Sequence, residues 1–392
     1  MSPTLRRLGL VASATAAALA LSACGSNIAD DEGDAAAASE EGPVVIGALV
    51  DQTAYLKTLD EGVLQGIQSA VEAVNADGGV LGGRELEVVV EDNAADPQQQ
   101  VQAFQRVMSE DPVLFLNGFS SAGNAATAPL AGQEEVPMIV ASVTPPDDEE
   151  WVFSTIVPAK YETGTRVEYL VEQGITKVGI LHDPTPFGKL QLDALTGQLE
   201  EAGIEIVGVQ EHATDAVDLR PQVSNLLGAS TAAVVKVSAG PTQIVAAKAL
   251  ADAGSSVPLL IGVDSHANIT QATAAYPELL VTAAPLQVES ELGDDQRTEG
   301  ITRFVEANPG VDDPTYIGRG WDAVFLAVQA IEEAGSTDGA ALRDAIVSMG
   351  EYEGTSAAYD YTDEDHYGIT TNPNYIARIT ADSTEIVFTP AK

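Results

Sequence analysis

Pro112-Val113-Leu114-Phe115-Leu116-Asn117-Gly118-Phe119-Ser120-Ser121-Ala122-Gly123-Asn124 decides the fold. The apolar run 113–116 reads as a buried strand of a parallel sheet, because both of its faces are oily. A Gly-Phe-Ser-Ser turn follows, and the small residues 122–128 then start a helix close to the sheet. A helix that begins where a strand ends leaves backbone N–H groups aimed at the loop. Those groups and the helix dipole favour an anion. Ser120 and Ser121 add two hydroxyls at the same place, so the loop reads as a seat for the carboxylate of a small ligand. A second lobe is needed to close over it.

The same turn stands one residue from the G-x-S-x-G elbow that exposes a nucleophilic serine in hydrolases, with Ala122 in place of the last glycine. A serine hydrolase using Ser120 would also need an acid and a histidine downstream. His182, His212, His266 and His366 are the only histidines, and none stands in a catalytic motif. That reading is kept as an alternative.

With 392 residues the chain is comfortable as two domains. Its 18 basic and 59 acidic residues give a net charge of −41, which excludes a nucleic-acid partner, since phosphate binding needs a basic surface. The same charge opposes electrostatic adhesion to anionic lipid and favours a highly soluble surface. A single cysteine, Cys24, leaves no intramolecular disulfide and no cysteine metal cluster. No metal and no cofactor are expected.

Residues 1–23 read as an export signal. Arg6 and Arg7 precede the apolar run 8–20, which is too short to span a bilayer. Leu21-Ser22-Ala23-Cys24 matches a bacterial lipobox, so Cys24 is expected to be lipidated and to become the first residue. Residues 24–42 are rich in alanine, aspartate and glutamate with no apolar period, as in a tether that spaces a folded body from the membrane.

Strand and helix alternate from Pro43 onward. Strands are expected over 44–50, 86–90, 113–116 and 137–141, and helices over 59–75 and 97–109. After Trp151 the alternation restarts: helices over 161–173, 188–202, 218–227 and 241–253, strands over 177–181, 205–209, 233–237 and 258–262. The tail reads as helices over 294–308, 317–334 and 339–349, then strands over 357–361, 375–379 and 385–388. Asp360, Asp363, Glu364, Asp365 and His366 do not fit a calcium loop and read as a solvated hairpin turn. The fold class is therefore α/β, two doubly wound Rossmann-like lobes with a cleft between them at the carboxyl ends of their strands.

Taken whole, the chain resembles the branched-chain amino-acid-binding family of ABC-transporter solute-binding proteins, the type I periplasmic binding fold. The resemblance runs from Val44 to Phe388. It is carried by Asn75-Ala76-Asp77-Gly78-Gly79-Val80, by the 86–97 stretch, by the 118–123 loop, by Val136-Pro137-Met138-Ile139, and by Ile180-Leu181-His182-Asp183 with Phe187-Gly188. It implies three crossings between lobes, near 157–160, 284–287 and 351–356. Lobe one would be 43–158 plus 286–352, and lobe two 159–285 plus 353–392.

The resemblance also implies a site. Hydroxyls of Ser121, Ser142 and Thr144, beside Ser120, would take the ligand carboxylate, and Asp264 would take an α-ammonium. Phe187 would line the cleft, and Tyr55 would lie in the first strand–helix loop. The protein so implied is a monomeric extracytoplasmic lipoprotein, anchored to the cell membrane, that binds an amino acid or similar small carboxylate and delivers it to an ABC permease without chemistry. A runner-up takes amides, urea or aromatic acids on the same fold.

Overall fold

The computed structural model describes residues 42–142, 150–294, 296–311 and 313–391. The first sheet holds β1 (Val44–Val50), β2 (Leu86–Asp92), β3 (Leu114–Asn117), β4 (Met138–Val140) and β5 (Val152–Ser154). Its order is β2-β1-β3-β4-β5 and every pairing is parallel. Helices α1 (Lys57–Ala76), α2 (Pro97–Met108) and α3 (Ser121–Glu134) join its strands.

Helix α4 (Ala159–Glu172) leads into the second sheet. There β6 (Lys177–His182), β7 (Glu205–Glu211), β8 (Ala233–Val237), β9 (Leu259–Ile261) and β10 (Leu279–Ala283) alternate with α5 (Pro186–Glu201), α6 (Arg220–Gly228), α7 (Thr242–Asp252) and α8 (His266–Ala275). A 3-10 turn, Pro285–Glu291, then carries the chain to α9 (Glu299–Ala307), α10 (Pro314–Ala334) and α11 (Gly339–Ser348). A small hairpin, β11 (Tyr352–Glu353) with β12 (Ala358–Tyr359), follows, and β13 (Tyr375–Ile379) and β14 (Thr384–Phe388) rejoin the second sheet. That sheet runs β14-β13-β10-β9-β8-β6-β7, with β13 and β14 antiparallel at its edge. Taken from β7, the run 7-6-8-9-10 repeats the 2-1-3-4-5 order of the first sheet.

Both sheets are covered on both faces, which is why their strands are apolar throughout. In β3, Leu114 and Leu116 face Val63, Ile67, Trp321 and Val324 of α1 and α10, whereas Phe115 faces α2 and α3 and stacks on Phe104 at 4.5 Å. In the second sheet Val178 and Ile180 pack with Leu195 and Leu199 of α5, while Leu181 belongs to the opposite cluster. Helices α1 and α10 touch backbone to backbone. A Cβ on Gly66 would run into the Ile317 carbonyl oxygen, and one on Gly320 into that of Val63.

The structure differs from the sequence expectations in several places. The strands β5, β10 and β11 and the helix α8 are additional to those expected, and the strand expected over 357–361 is only Ala358–Tyr359. Helix α9 is shorter than 294–308, starting where Thr298 caps it through Ile301 N at 3.1 Å. Helix α10 starts three residues before 317, at Pro314, whose ring presets the first turn. The acidic turn is solvated at Asp360, Asp363 and Glu364, but His366 is not. Its ring lies 4.6 Å from that of Phe153, its Nδ1 is 2.9 Å from the Val152 carbonyl, and its own carbonyl accepts from Ser154 N at 2.9 Å. The Tyr361 hydroxyl donates to Ser154 O at 2.9 Å and that of Tyr359 to Thr155 O at 3.0 Å. Residues 359–368 thus cover β5, a strand whose free edge would otherwise be open to pairing.

Candidate functional site

In doubly wound sheets, ligands sit at the carboxyl ends of the strands, where the strand order reverses. In the first sheet that point lies between β1 and β3, and the loops following them are tied together by Asp60 of α1. Its carboxylate accepts from Asp51 N at 2.6 Å and from Phe119 N at 2.8 Å. Burial pushes Asp60 up to about 7, with the two backbone donors working the other way. The neighbouring Asp51 folds its own loop by accepting from the amides of Thr53, Ala54 and Leu56.

The β3–α3 turn takes the expected form. Ser120 caps α3, its buried hydroxyl accepting from Gly123 N at 3.3 Å, and Ser121 is the first helical residue, half-buried. A buried amide chain holds the turn: Asn124 Nδ2 donates to Gly118 O at 3.0 Å, and Gln100 Nε2 donates to Asn124 Oδ1 at 2.7 Å. Gly123 must lack a side chain, since a Cβ there would strike Gln100.

At the ends of β4 and β5 the hydroxyls of Ser142 and Thr155 are fully buried and have no hydrogen-bond partner among the described residues. Close by, Phe119 and Tyr316 meet edge to face at 5.4 Å, and the Arg319 guanidinium carbon lies 5.3 Å and 5.7 Å from their ring centroids. One turn further along α10, Asp322 accepts from Thr355 N at 2.7 Å, Thr355 Oγ1 at 2.9 Å and Ser356 N at 3.1 Å. That clamp fixes the segment between the two strands of the small hairpin.

The corresponding edge of the second sheet is also polar, and its buried charges are partnered, although Gln243 Oε1 and Thr282 Oγ1 have no hydrogen-bond partner among the described residues. Asp264, after β9, accepts from Gly240 N at 2.6 Å, Ser265 N at 2.7 Å and Asn268 Nδ2 at 2.9 Å. It thereby joins the loops after β8 and β9. Lys236 of β8 is fully buried, and its ammonium donates to Ser238 Oγ and, at 3.0 Å, to Thr242 Oγ1. Burial brings this lysine down to about 7, against the opposing pull of Asp264 and Asp183. Beneath them, Arg166 pairs with Glu162 at 3.3 Å and donates to Gln191 Oε1 at 3.1 Å and Lys236 O at 3.2 Å. Glu162 also accepts from Gln191 Nε2 at 2.7 Å.

The two edges approach each other. His266 N, at the start of α8, donates to Asp313 Oδ2 at 2.9 Å, and Gln287 Nε2 donates to Asp264 O at 2.9 Å. Burial raises the Tyr316 hydroxyl well above its ordinary value, and Asp264 adds to that from the other sheet.

Among the residues expected from sequence, Ser120, Ser121 and Ser142 lie along the first edge, and Asp264 lies at the second. Phe187 is half-buried in the first turn of α5, beyond β6. Tyr55 is in the loop after β1 but is 80% exposed. Thr144 and Cys24 lie outside the described residues. Sequence reasoning did not single out Arg319, Tyr316, Asp60 or Lys236. Two of them, Asp60 and Arg319, read as ordinary charged positions of amphipathic helices. Lys236, a charge within the apolar run of β8, was the one visible signal.

A family model described as periplasmic binding protein matches residues 43–384. The Leu/Ile/Val-binding protein homolog 2 of Brucella abortus (strain 2308) is 24% identical over 322 residues, covering 79% of this chain and 84% of that protein. Among solved structures, an extracellular ligand-binding receptor from Rhodopseudomonas palustris HaA2 superposes with a TM-score of 0.77 at 18% identity, over 88% of this chain and all of that one. The leucine-binding protein LivK of Thermotoga maritima MSB8 gives 0.72 at 19% identity, over 88% and 97%. The fold is the type I periplasmic binding fold with two parallel-sheet lobes, and with Ser120 buried as a helix cap in a family of non-enzymatic binding receptors, the serine hydrolase alternative falls away. The chain belongs to the periplasmic binding protein family.

Proposed function

We propose that this protein is the extracytoplasmic solute-binding component of an ABC importer, capturing an amino acid or a related small carboxylate and presenting it to a membrane permease. One observation carries the reading: two sheets of the same strand order bring their carboxyl edges together, one with unpartnered hydroxyls and the other with buried charges. Lobe one is 43–158 plus 286–352 and lobe two 159–285 plus 353–392, with 359–368 lying back along β5. Ser121 and Ser142, with Thr144, take the carboxylate beside the cap formed by Ser120. Asp264 takes an ammonium, and Phe187 and Tyr55 line the approach. Ligand touches both lobes only when they are closed, so it shifts the population toward closure. The lipobox at Cys24 anchors the chain, as a monomer, to the outer face of the membrane.

Asp264 already accepts three hydrogen bonds from its own lobe, which favours a second reading: an acid without an α-amine, aromatic acids among them. Calorimetric titration with L-leucine and its deaminated analogue 4-methylpentanoate decides between the two. Tighter binding of leucine, lost in Asp264→Asn, supports the amino acid. Tighter binding of the amine-free acid, unchanged in that variant, supports the second reading. Release of a Cys24→Ala variant from membranes into the soluble fraction tests the anchor.

A further inference from the structure

Arg319 is anomalous among the arginines of this protein. Every other arginine among the described residues holds a hydrogen bond or an ion pair. Arg319 has neither among those residues, although it is only 7% exposed and the chain carries 59 acidic side chains to offer as partners. A buried guanidinium left without an acceptor is costly, because desolvation is repaid only by pairing. The cost is tolerable where the acceptor arrives from outside.

Its position indicates where that acceptor comes from. The group rests against Phe119, in the turn after β3, and Tyr316, so contact with these rings holds the guanidinium plane. Burial raises the Tyr359 hydroxyl well above its ordinary value, and the Arg319 charge works against that, which places Arg319 near a tyrosine bonded to the end of β5. The unpartnered Ser142 and Thr155 hydroxyls lie at this same edge. The described structure therefore gathers one cation and two free hydroxyls where lobe one meets the cleft, and each can donate to the same kind of group.

We propose that Arg319 is the specificity-determining residue of the cleft: it takes a carboxylate of the ligand through paired N–H donors, held in plane by Phe119 and Tyr316. The planar fork of arginine matches a carboxylate, and no single serine can do the same. The inference rests on the solute-binding reading above. It sharpens that reading to ligands selected for a carboxylate and rejected as the neutral amide.

Titration calorimetry tests it with matched acid and amide probes: L-leucine and L-leucinamide, succinate and succinamide, benzoate and benzamide, octanoate and octanamide. Wild type binds at least one acid and prefers it to its amide. Arg319→Met weakens the acid about 10- to 100-fold, the size of a charged hydrogen-bond pair, and erases the preference. Arg319→Lys, which keeps the charge without the fork, falls between. Independently of any variant, phenylglyoxal modification of wild-type protein is read at Arg319 by mass spectrometry, with and without saturating acid. Protection by the acid and not by the amide supports the proposal. Equal modification in both states, or none in either, overturns it. Acid binding and preference retained in Arg319→Met overturn it while leaving the solute-binding reading intact. Failure of wild type to bind any of the eight probes overturns both.

Discussion

The two strand-end edges share one topology but differ in how their polar groups are satisfied. In lobe two the buried charges have internal partners: Glu162 with Arg166 and Gln191, Lys236 with Ser238 and Thr242, and Asp264 with two loops. In lobe one Ser142, Thr155 and Arg319 stand without partners among the described residues. A buried polar group that is satisfied at home rigidifies its surroundings, whereas one left open waits for an external acceptor or donor. Equal folds can thus divide the labour, with one lobe preorganised and the other available.

The largest break in that comparison comes from Arg166. Arg166→Met strands Glu162 inside lobe two, and breaking a buried pair in this way costs about 3–5 kcal/mol. Urea unfolding measures it, and a loss under about 1 kcal/mol would mean that lobe two is not held by its polar layer. Gly66→Ala comes next. It forces a methyl onto the Ile317 carbonyl, and overpacking of this kind costs about 1–3 kcal/mol, read as a lower urea midpoint.

A pair of serines sharpens the contrast. Ser238→Ala removes a partner of buried Lys236 and destabilises the free protein by about 1–3 kcal/mol. Ser142→Ala removes a hydroxyl that bonds to nothing among the described residues. It leaves the melting temperature of the free protein unchanged but weakens ligand binding by about 0.5–1.5 kcal/mol. Equal melting shifts for the two would erase the distinction between the edges.

A pH dependence of opposite sign also separates the two lobes. Folded Asp60 keeps a proton that the unfolded chain has lost between the ordinary carboxylate range and about 7, so its contribution falls as pH rises across that window. Lys236, facing Asp264, Asp183 and His212, has lost a proton that the unfolded chain keeps from about 7 up to the ordinary lysine range, so stability rises with pH there. Melting curves from acid to alkaline pH, spanning both windows, should show the first slope vanish in Asp60→Asn and the second in Lys236→Met. Persistence of the alkaline rise in Lys236→Met would assign it to another group.

Much of the fold was legible because strands buried on both faces are continuous apolar runs. Val113 to Leu116 and Val44 to Val50 needed no tertiary information. The three residues of β5 were too few to register, and its edge is completed only by 359–368, far downstream in the chain. The β3–α3 turn was legible for the same local reasons, with Ser120 as its cap. The remainder of the site was not, because burial is not local. Arg319, Asp60 and Asp322 occupy helix positions where a charge reads as solvated, and only the packing of α10 on α1 and beside the β3 loop takes them out of water. Tyr55 shows the converse, an aromatic that sequence placed at the site and that stands 80% exposed.

Helix α10 has one further consequence. Arg319 and Asp322 are three residues apart, about 4.5 Å along the axis of a helix that its glycine contacts lock onto α1. One holds the aromatic corner beside the β3 loop and the other grips the Thr355–Ser356 segment of the small hairpin. A stiff rod gripped at both places acts as a lever. We expect a force applied at Arg319 to arrive at that hairpin as torque, and a spectroscopic label on the hairpin to register occupancy of the cleft without touching the ligand.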